Sequence, residues 1–371
     1  MSLELNEISK NFKDDKVLDR VSLYVPEGKT LVLFGPSGAG KTVLLRLISG
    51  VFEPDEGHIK ISGMDVDGVE PEDRNIGMAF QNFALFPHMD AHANIASPLT
   101  AQKKDKSAIQ AGVQSLAKLL KIDHVLGHKP KELSNGQKQR TALARALAGK
   151  PKILLLDDPL RNVDAKLRFE MRLELPNLLY EQNATVIYVT QDYKEAMAFG
   201  DQIAVINGGV IQQIGTPEAI YLTPANVEIA RLFGDPVINL LDVTLQKDAS
   251  GVFALISEKR IDLDASYASV VGLECCLGIR PESVLFVDRD HKSAVPVTVE
   301  AETPLNEKTV NLCLTARGRE IMASRPSGTQ GPAGGEAFVA IEAASAMIFD
   351  KQTGALIETN STDISERGKV T

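Results

Sequence analysis

The stretch "ILLLDDPLRNVD", residues 153–164, decides the reading. Four apolar residues run into two aspartates, followed by proline and arginine. An unbroken apolar run bounded by turn residues is the pattern of a strand buried on both faces. Asp157 therefore stands where a buried strand ends, with Asp158 directly behind it. A carboxylate delivered in this way suits a hard cation, and a second one beside it suits a base.

Outward from this stretch, strand-like and helix-like runs alternate to about residue 232, which predicts an α/β domain with a largely parallel sheet. "KTLVLF" (29–34), "NIGMAF" (75–80), "KILLLD" (152–157) and "TVIYVT" (185–190) read as buried strands. "VLLRLISG" (43–50) reads as a helix closed by a glycine. "SAIQAGVQSLAKLLKI" has apolar spacings of three and four, so a helical subdomain is expected at about 85–150, inserted into the sheet domain. After "RLFGDP" (231–236) the texture changes to short alternating runs such as "SVLFV", "AVPVTVE" and "KTVNLCL", which predict a small β-barrel from 236 to 371. "RPSGTQGPAGGEA" reads as a loop within it.

"GPSGAGKT" (35–42) fits the pattern G-x-x-x-x-G-K-[ST] and lies between a predicted strand and a predicted helix, as a phosphate loop must. Gly35, Gly38 and Gly40, with Pro36, Ser37 and Ala39 between them, let consecutive N–H groups turn toward phosphate oxygens. The following helix adds its partial positive charge. Lys41 is placed to reach the β- and γ-phosphates, and Thr42 to hold Mg²⁺. Asp157 is expected beside the Thr42 hydroxyl, on the same ion.

With these elements in hand, "LSNGQKQRTALARALA" (133–148) resembles the signature segment of the ATP-binding cassette (ABC) ATPases, commonly LSGGQ followed by a helix. The resemblance implies that Ser134, Asn135, Gly136 and Gln137 grip the γ-phosphate of a nucleotide held by a second protomer. "AFQNFALFPHMDAHANIA" (79–96) resembles the Q-loop, with Gln81 near the metal and the attacking water. "RNVDAKLR" (161–168) resembles the D-loop, with Asp164 as its aspartate. "VTQDYKEAMAFGDQIAVINGGVIQQIGTPEAIY" (189–221) resembles the switch segment. Phe12 stands where the family places an aromatic against adenine. "LGIRPESV" (277–284) and "IFDKQTGALI" (348–357) are similar to phrases of the regulatory domain of maltose-type importer ATPases. The implied fold is an α/β P-loop ABC ATPase core over 1–235 with the helical insertion, and a C-terminal all-β, OB-like (TOBE-type) regulatory domain over 236–371.

The sequence departs from that family at the hydrolytic elements. Asp158 replaces the usual glutamate, and its carboxylate ends one methylene short of a position that contributes ~10²–10⁴-fold as a general base. Gln191 replaces the switch histidine and never carries its charge. Arg161 replaces a small D-loop serine, adding bulk and charge at the seam between protomers. Asn135 replaces a signature glycine, a mild change because asparagine tolerates left-handed backbone. With the phosphate loop whole, these departures predict a site built from Asp158, Gln191 and Gln81 that binds ATP with Mg²⁺ and cleaves it slowly. A heterodimer with a second, different ABC ATPase is the expectation, and a fully active homodimer is the alternative.

The resemblance also implies two membrane permease subunits, an extracytoplasmic solute-binding protein acting through them, and a carbohydrate, polyol or glycerol-like solute. The apolar segment "FALFPHM" (83–89) is expected to receive the permease. Among 371 residues the net charge is −9, which argues against a nucleic-acid partner. A soluble cassette ATPase of translation or repair fits less well, since the chain has one phosphate loop and leaves no room for a long coiled coil before Ser134. No apolar run approaches the ~18 residues of a membrane span. "MSLELNEISKNFKDDK" does not read as a signal peptide. A peripheral position on the cytoplasmic face of the inner or plasma membrane follows as the expectation. Cys275, Cys276 and Cys313 show no zinc spacing and are expected as reduced thiols.

Overall fold

The computed structural model describes residues 1–358 except Asp14, Ser257, Asn306, Gln330 and Ala333. The predicted C-terminal domain thus extends beyond the described residues from 359 on. The chain divides into two units, Met1–Pro217 and a second that starts at Glu218.

In chain order the strands of the first unit are β1 (Leu3–Phe12), β2 (Asp15–Val25), β3 (Thr30–Phe34), β4 (Glu56–Ile61), β5 (Met64–Asp65), β6 (Ile76–Ala79), β7 (Ile153–Asp157), β8 (Thr185–Thr190), β9 (Gln202–Asn207) and β10 (Val210–Gly215). The helices are α1 (Lys41–Ile48), α2 (Ala91–Ala101), α3 (Lys106–Leu119), α4 (Asn135–Ala148), α5 (Ala165–Gln182) and α6 (Tyr193–Phe199). A six-stranded sheet runs in the order β10-β9-β3-β8-β7-β6, and a four-stranded antiparallel sheet in the order β2-β1-β4-β5. Strands β9, β3, β8, β7 and β6 are parallel neighbours, while β10 returns antiparallel to β9.

Every residue of β7 and β8 is buried, as a sheet covered on both faces requires. One apolar cluster takes Leu31 and Leu33 from β3, Leu3 and Leu5 from β1, and Leu44, Leu45 and Ile48 from α1, so α1 is fixed between the two sheets. "NIGMAF" departs from the expectation of a buried strand: β6 is the edge strand, and Ile76, Gly77 and Met78 are only half-buried. Helices α2, α3 and α4 pack together between β6 and β7 in the chain, where a helical segment was expected.

Register decides where the site forms. Phe34 lies opposite Thr190, and Asp157 opposite Val189. The carboxyl ends of β3, β7 and β8 therefore stand level. The crevice outside such ends is where open α/β sheets place their ligands.

The second unit begins with α7 (Pro217–Leu222) at the boundary and α8 (Val227–Leu232), followed by strands throughout. Three antiparallel sheets of three, three and five strands share one core. Along Lys308–Thr315 the side chains alternate between half-buried and buried, the period-two pattern of a strand with one face in a core. The boundary falls earlier than the change of texture at 235. The α7–α8 segment is held to the strands by the backbone bonds of Ala225 and Val227 to Leu356 and Gly354, by the packing of Ala230 on Ile238, Met347 and Phe349, and by Arg280, whose buried guanidinium donates to the carbonyls of Ala230 and Tyr221 at 2.8 Å each and also to that of Phe233. The guanidinium plane stacks 4.0 Å over the Tyr221 ring. A helical pair tied in this way to the strands belongs with the β-rich unit, which helical texture alone does not announce. Cys275 and Cys313 are buried and Cys276 half-buried, all three as free thiols. Burial pushes the Cys313 thiol up to about 11.

Candidate functional site

The loop between β3 and α1 folds as its glycines demand. Gly38 and Gly40 have φ of +83° and +94°, backbone that a side chain rarely adopts. At Gly35 a Cβ would lie 2.1 Å from the Ile206 carbonyl oxygen, so the loop passes β9 at a distance only glycine permits. Helix α1 starts with no side-chain cap and no acidic residue in its first turn. Its first N–H groups are left for an anion, with the dipole in support. Lys41 is buried, and its Nζ donates to the carbonyls of Gly35 at 2.7 Å and Pro36 at 2.6 Å. Burial lowers its pKa, while the charges of Asp158 and Asp157 oppose the shift.

The end of β7 completes this corner. The Thr42 hydroxyl donates to Asp157 Oδ2 at 3.0 Å, with Oδ1 at 3.2 Å. A hydroxyl and a carboxylate so joined are the hard oxygen donors a Mg²⁺ ion takes, and with the loop N–H groups they fit a Mg²⁺–polyphosphate. Burial pushes the Asp157 carboxyl up, against the hydrogen bond from Thr42 and the charges of Arg46 and Lys41.

Asp158 adopts φ of +51°, left-handed backbone in a residue other than glycine, and it turns the chain out of the strand. Its N–H donates to the Val189 carbonyl at 3.0 Å. Its own carbonyl accepts from Gln139 Nε2 at 2.6 Å, and Gln139 Oε1 accepts the Asn162 N–H at 2.9 Å. Gln139 is buried on α4, so one amide from the signature helix clamps both ends of the turn that bears the aspartate. Nothing in the run "GQKQRT" distinguished Gln139 from its neighbour Gln137; its place on the inner face of α4 was the available signal. Burial also raises the pKa of Asp158, with Arg161 opposing and Asp157 adding to the shift. Arg161 Nη1 stands 3.7 Å from Asp158 Oδ2.

Asp157, Asp158, Lys41, Thr42, Gln81, Gln191 and Arg161 all face one cavity of about 320 Å³, beside Ser37, Gly38, Ala39 and Gly40. Gln81 and Gln191 are exposed there, at the ends of β6 and β8. Arg161, expected to bear on the seam between protomers, lines the site of its own chain. Just behind Gln191, Glu195 is buried and its Oε2 accepts from both the Tyr188 hydroxyl and the Thr190 hydroxyl at 2.9 Å. Burial pushes this carboxyl up to about 7.

Other expected site residues lie elsewhere. Ser134 caps α4: its Oγ accepts the Gln137 N–H at 3.3 Å while Gln137 Oε1 accepts the Ser134 N–H at 2.9 Å, a reciprocal capping box. Asn135 is the first residue of that helix, so the left-handed tolerance invoked for it is not called on. Gly136 is the constrained position, since a Cβ there would meet the Asn162 carbonyl oxygen at 2.9 Å. These four residues do not line the cavity. Asp164 caps α5, accepting the Leu167 N–H at 3.0 Å. Phe12 is also outside the cavity wall; its ring, 40% exposed, meets Phe52 edge-on at 5.5 Å. Arg145 was not anticipated: it donates to the carbonyls of Ala84 at 2.8 Å and Phe83 at 3.3 Å and lies over the Phe86 ring, holding the segment after Gln81 in its left-handed turn.

Comparison with known proteins decides the family. The trehalose/maltose import ATP-binding protein of Thermococcus litoralis is 39% identical over 372 residues, which cover 96% of this chain and 99% of that one. The chain belongs to the ABC transporter ATPases. The family profile described as ABC transporter matches residues 18–161, from β2 to the turn after Asp158. The sn-glycerol-3-phosphate import ATP-binding protein of Escherichia coli K12 is 36% identical over 95% of this chain and 98% of its own. That of Psychromonas ingrahamii is 41% identical over 78% and 76%. A solved dimeric ATP-binding cassette in a post-hydrolysis state, bound to ADP and Pi, superposes with a TM-score of 0.55 at 29% identity, over 58% of this chain and 98% of that one. The first unit of this ABC ATPase thus has the P-loop cassette fold. Among its described residues no helix is long and apolar enough to cross a membrane.

Proposed function

We propose that this ABC ATPase is the energy-coupling subunit of an importer for a carbohydrate, polyol or glycerol-like solute, and that its own nucleotide site is a slow one. The observation that carries the reading is the split of the machinery. The phosphate loop, the Thr42–Asp157 pair, Gln81 and Gln191 face one cavity, whereas Ser134, Asn135, Gly136 and Gln137 cap a helix outside it. A site of that kind is completed by the signature of another cassette.

The chain's own residues then have defined tasks. Lys41 leaves the Gly35 and Pro36 carbonyls for phosphate oxygens, a transfer favoured because a buried ammonium gains more from an anion than from two carbonyls. Thr42 and Asp157 would hold Mg²⁺, with Gln81 beside them, and the ion so held would supply charge neutralisation for phosphoryl transfer. Phe12, on the exposed end of β1, offers a π-face to adenine. Asp158 orients the attacking water, but its short side chain is shared with Arg161 and Gln191 adds no charge, which supports slow cleavage. Asp164 keeps the D-loop in place by capping α5.

The partners in this reading are two membrane permease subunits, reached through the exposed Phe86 and the segment Arg145 pins, with a solute-binding protein acting through them. The chain sits at the cytoplasmic face of the inner or plasma membrane. The β-rich second unit serves as an OB-like, TOBE-type regulatory domain. A second, different ABC ATPase supplies the Glu and His that this chain replaces. Intact-complex mass spectrometry of the tagged chain from its native membrane tests the pairing: a second cassette protein is expected. Two copies of this chain together with brisk, transport-coupled hydrolysis would refute both the pairing and the slow site.

A further inference from the structure

Arg161 lines the cavity, yet the mechanism above gives it no task of its own. Its backbone is held from both sides. The N–H donates to the Asp158 carbonyl at 3.3 Å, and the carbonyl accepts from Arg168 Nη2 at 2.9 Å. The next residue is clamped by Gln139. The side chain is different: it is 53% exposed, and its charged neighbour, Asp158 Oδ2, lies 3.7 Å from Nη1, beyond hydrogen-bond range. Its guanidinium donates no hydrogen bond among the described residues. A planar fork of five donors matched to phosphate geometry is thus anchored at its root, and its tip holds only an ion pair with Asp158 that is too long for a hydrogen bond.

The other cation of the cavity wall is committed. Lys41 is on two carbonyls of its own loop. At the end of β8 stands Gln191, which bears no charge at any pH. Resting on the nucleotide-site reading, a triphosphate differs from a diphosphate by one charged phosphoryl group beyond the loop. In that reading the group would stand on the side of the cavity lined by Asp157, Asp158 and Arg161.

We propose that Arg161 is the residue by which this site distinguishes a nucleoside triphosphate from a diphosphate, supplying in cis the positive charge that Gln191 lacks. A charged hydrogen bond to the terminal phosphoryl holds the triphosphate without adding a proton acceptor. This matches a site that retains ATP more than it cleaves it.

Calorimetric titration of the purified full chain with Mg²⁺–ADP and with a non-hydrolysable Mg²⁺–ATP analogue tests the assignment. Arg161→Gln should weaken the analogue about tenfold to a hundredfold and leave ADP within about twofold. Arg161→Lys should keep part of the discrimination. In the double variant Arg161→Gln/Gln191→His, preference for the analogue should return at a pH below the usual histidine value of about 6.5 and fade above it. The assignment is overturned if Arg161→Gln discriminates like the wild type, or loses both nucleotides equally while its thermal melting is unchanged. Failure of the underlying reading shows separately, as a Lys41→Ala variant that binds both nucleotides like the wild type.

Discussion

Replacing Gln139 by leucine should both destabilise the first unit and slow its chemistry. Leucine fills nearly the same volume on α4 but can neither donate nor accept. Two backbone groups lose their partner: the Asp158 carbonyl, bonded at 2.6 Å, and the Asn162 N–H, bonded at 2.9 Å. Asp158 lies largely inside, so its orphaned carbonyl costs about 1–3 kcal/mol. Asn162 is exposed, and water can take its N–H, which limits that loss to about 0.5–1.5 kcal/mol. Together the loss is about 1.5–4.5 kcal/mol, less a fraction regained from the apolar side chain. The kinetic effect follows from the same geometry. The left-handed turn at Asp158 is held by this amide, so its carboxylate loses a fixed position while the phosphate loop is untouched. Urea unfolding of the full chain should show an earlier first transition, and steady-state hydrolysis a lower kcat with KM for ATP little changed. A Gln139→Leu chain that unfolds within about 0.5 kcal/mol of the wild type and turns over at the wild-type rate would refute the clamp.

Gly35→Ala drives a methyl group to 2.1 Å from the Ile206 carbonyl, so nucleotide binding should fall below detection in a calorimeter while the circular-dichroism spectrum is retained. Glu195 makes stability depend on pH in a defined sense. Its carboxyl titrates at about 7 in the fold and near its ordinary 4.5 unfolded, so the native state holds the extra proton between those values. Stability is then fullest below about 4.5 for this group and falls as pH rises through 7, by about 3 kcal/mol in all; Glu195→Gln, measured by urea titration from pH 5 to 8, should flatten that slope. Arg280→Met removes a buried guanidinium from three carbonyls of the α7–α8 segment, and proteolysis within 217–233 should become detectable under native conditions while the strands of the second unit stay protected.

What a linear chain carries openly is what local chemistry and periodicity write into it. The phosphate loop was legible because its glycines and Lys-Thr have one common use. Strands β7 and β8 were legible because burial on both faces leaves no charged residue in "ILLL" or "VIYV". The helix of the signature segment was implied by resemblance, and the capping box that starts it at Ser134 is a contact between residues three apart. The edge position of β6 was not, because an apolar strand does not state how many neighbours it has. Nor was the boundary at 217, since the segment after it is held by Arg280, 50 residues beyond Ala230, and by backbone bonds from Ala225 and Val227 to residues 354–356.

At the site the division is sharper. Residue types alone grouped Lys41, Thr42 and Asp157 at one corner, and the tertiary structure brings the Thr42 hydroxyl to Asp157. Only the tertiary structure decided where the departures stand relative to one another. Arg161, read as a charge between protomers, stands against its own Asp158, because the left-handed turn at 158 carries residue 161 back over the cavity. Gln139, one glutamine among several, became the clamp because α4 packs its inner face on that turn. Both outcomes depend on register between β3, β7 and β8 and on where α4 lies in space. Those are long-range relations that no run of neighbouring residues contains, whereas the loop, the cap and the buried strands are set within a few residues of chain.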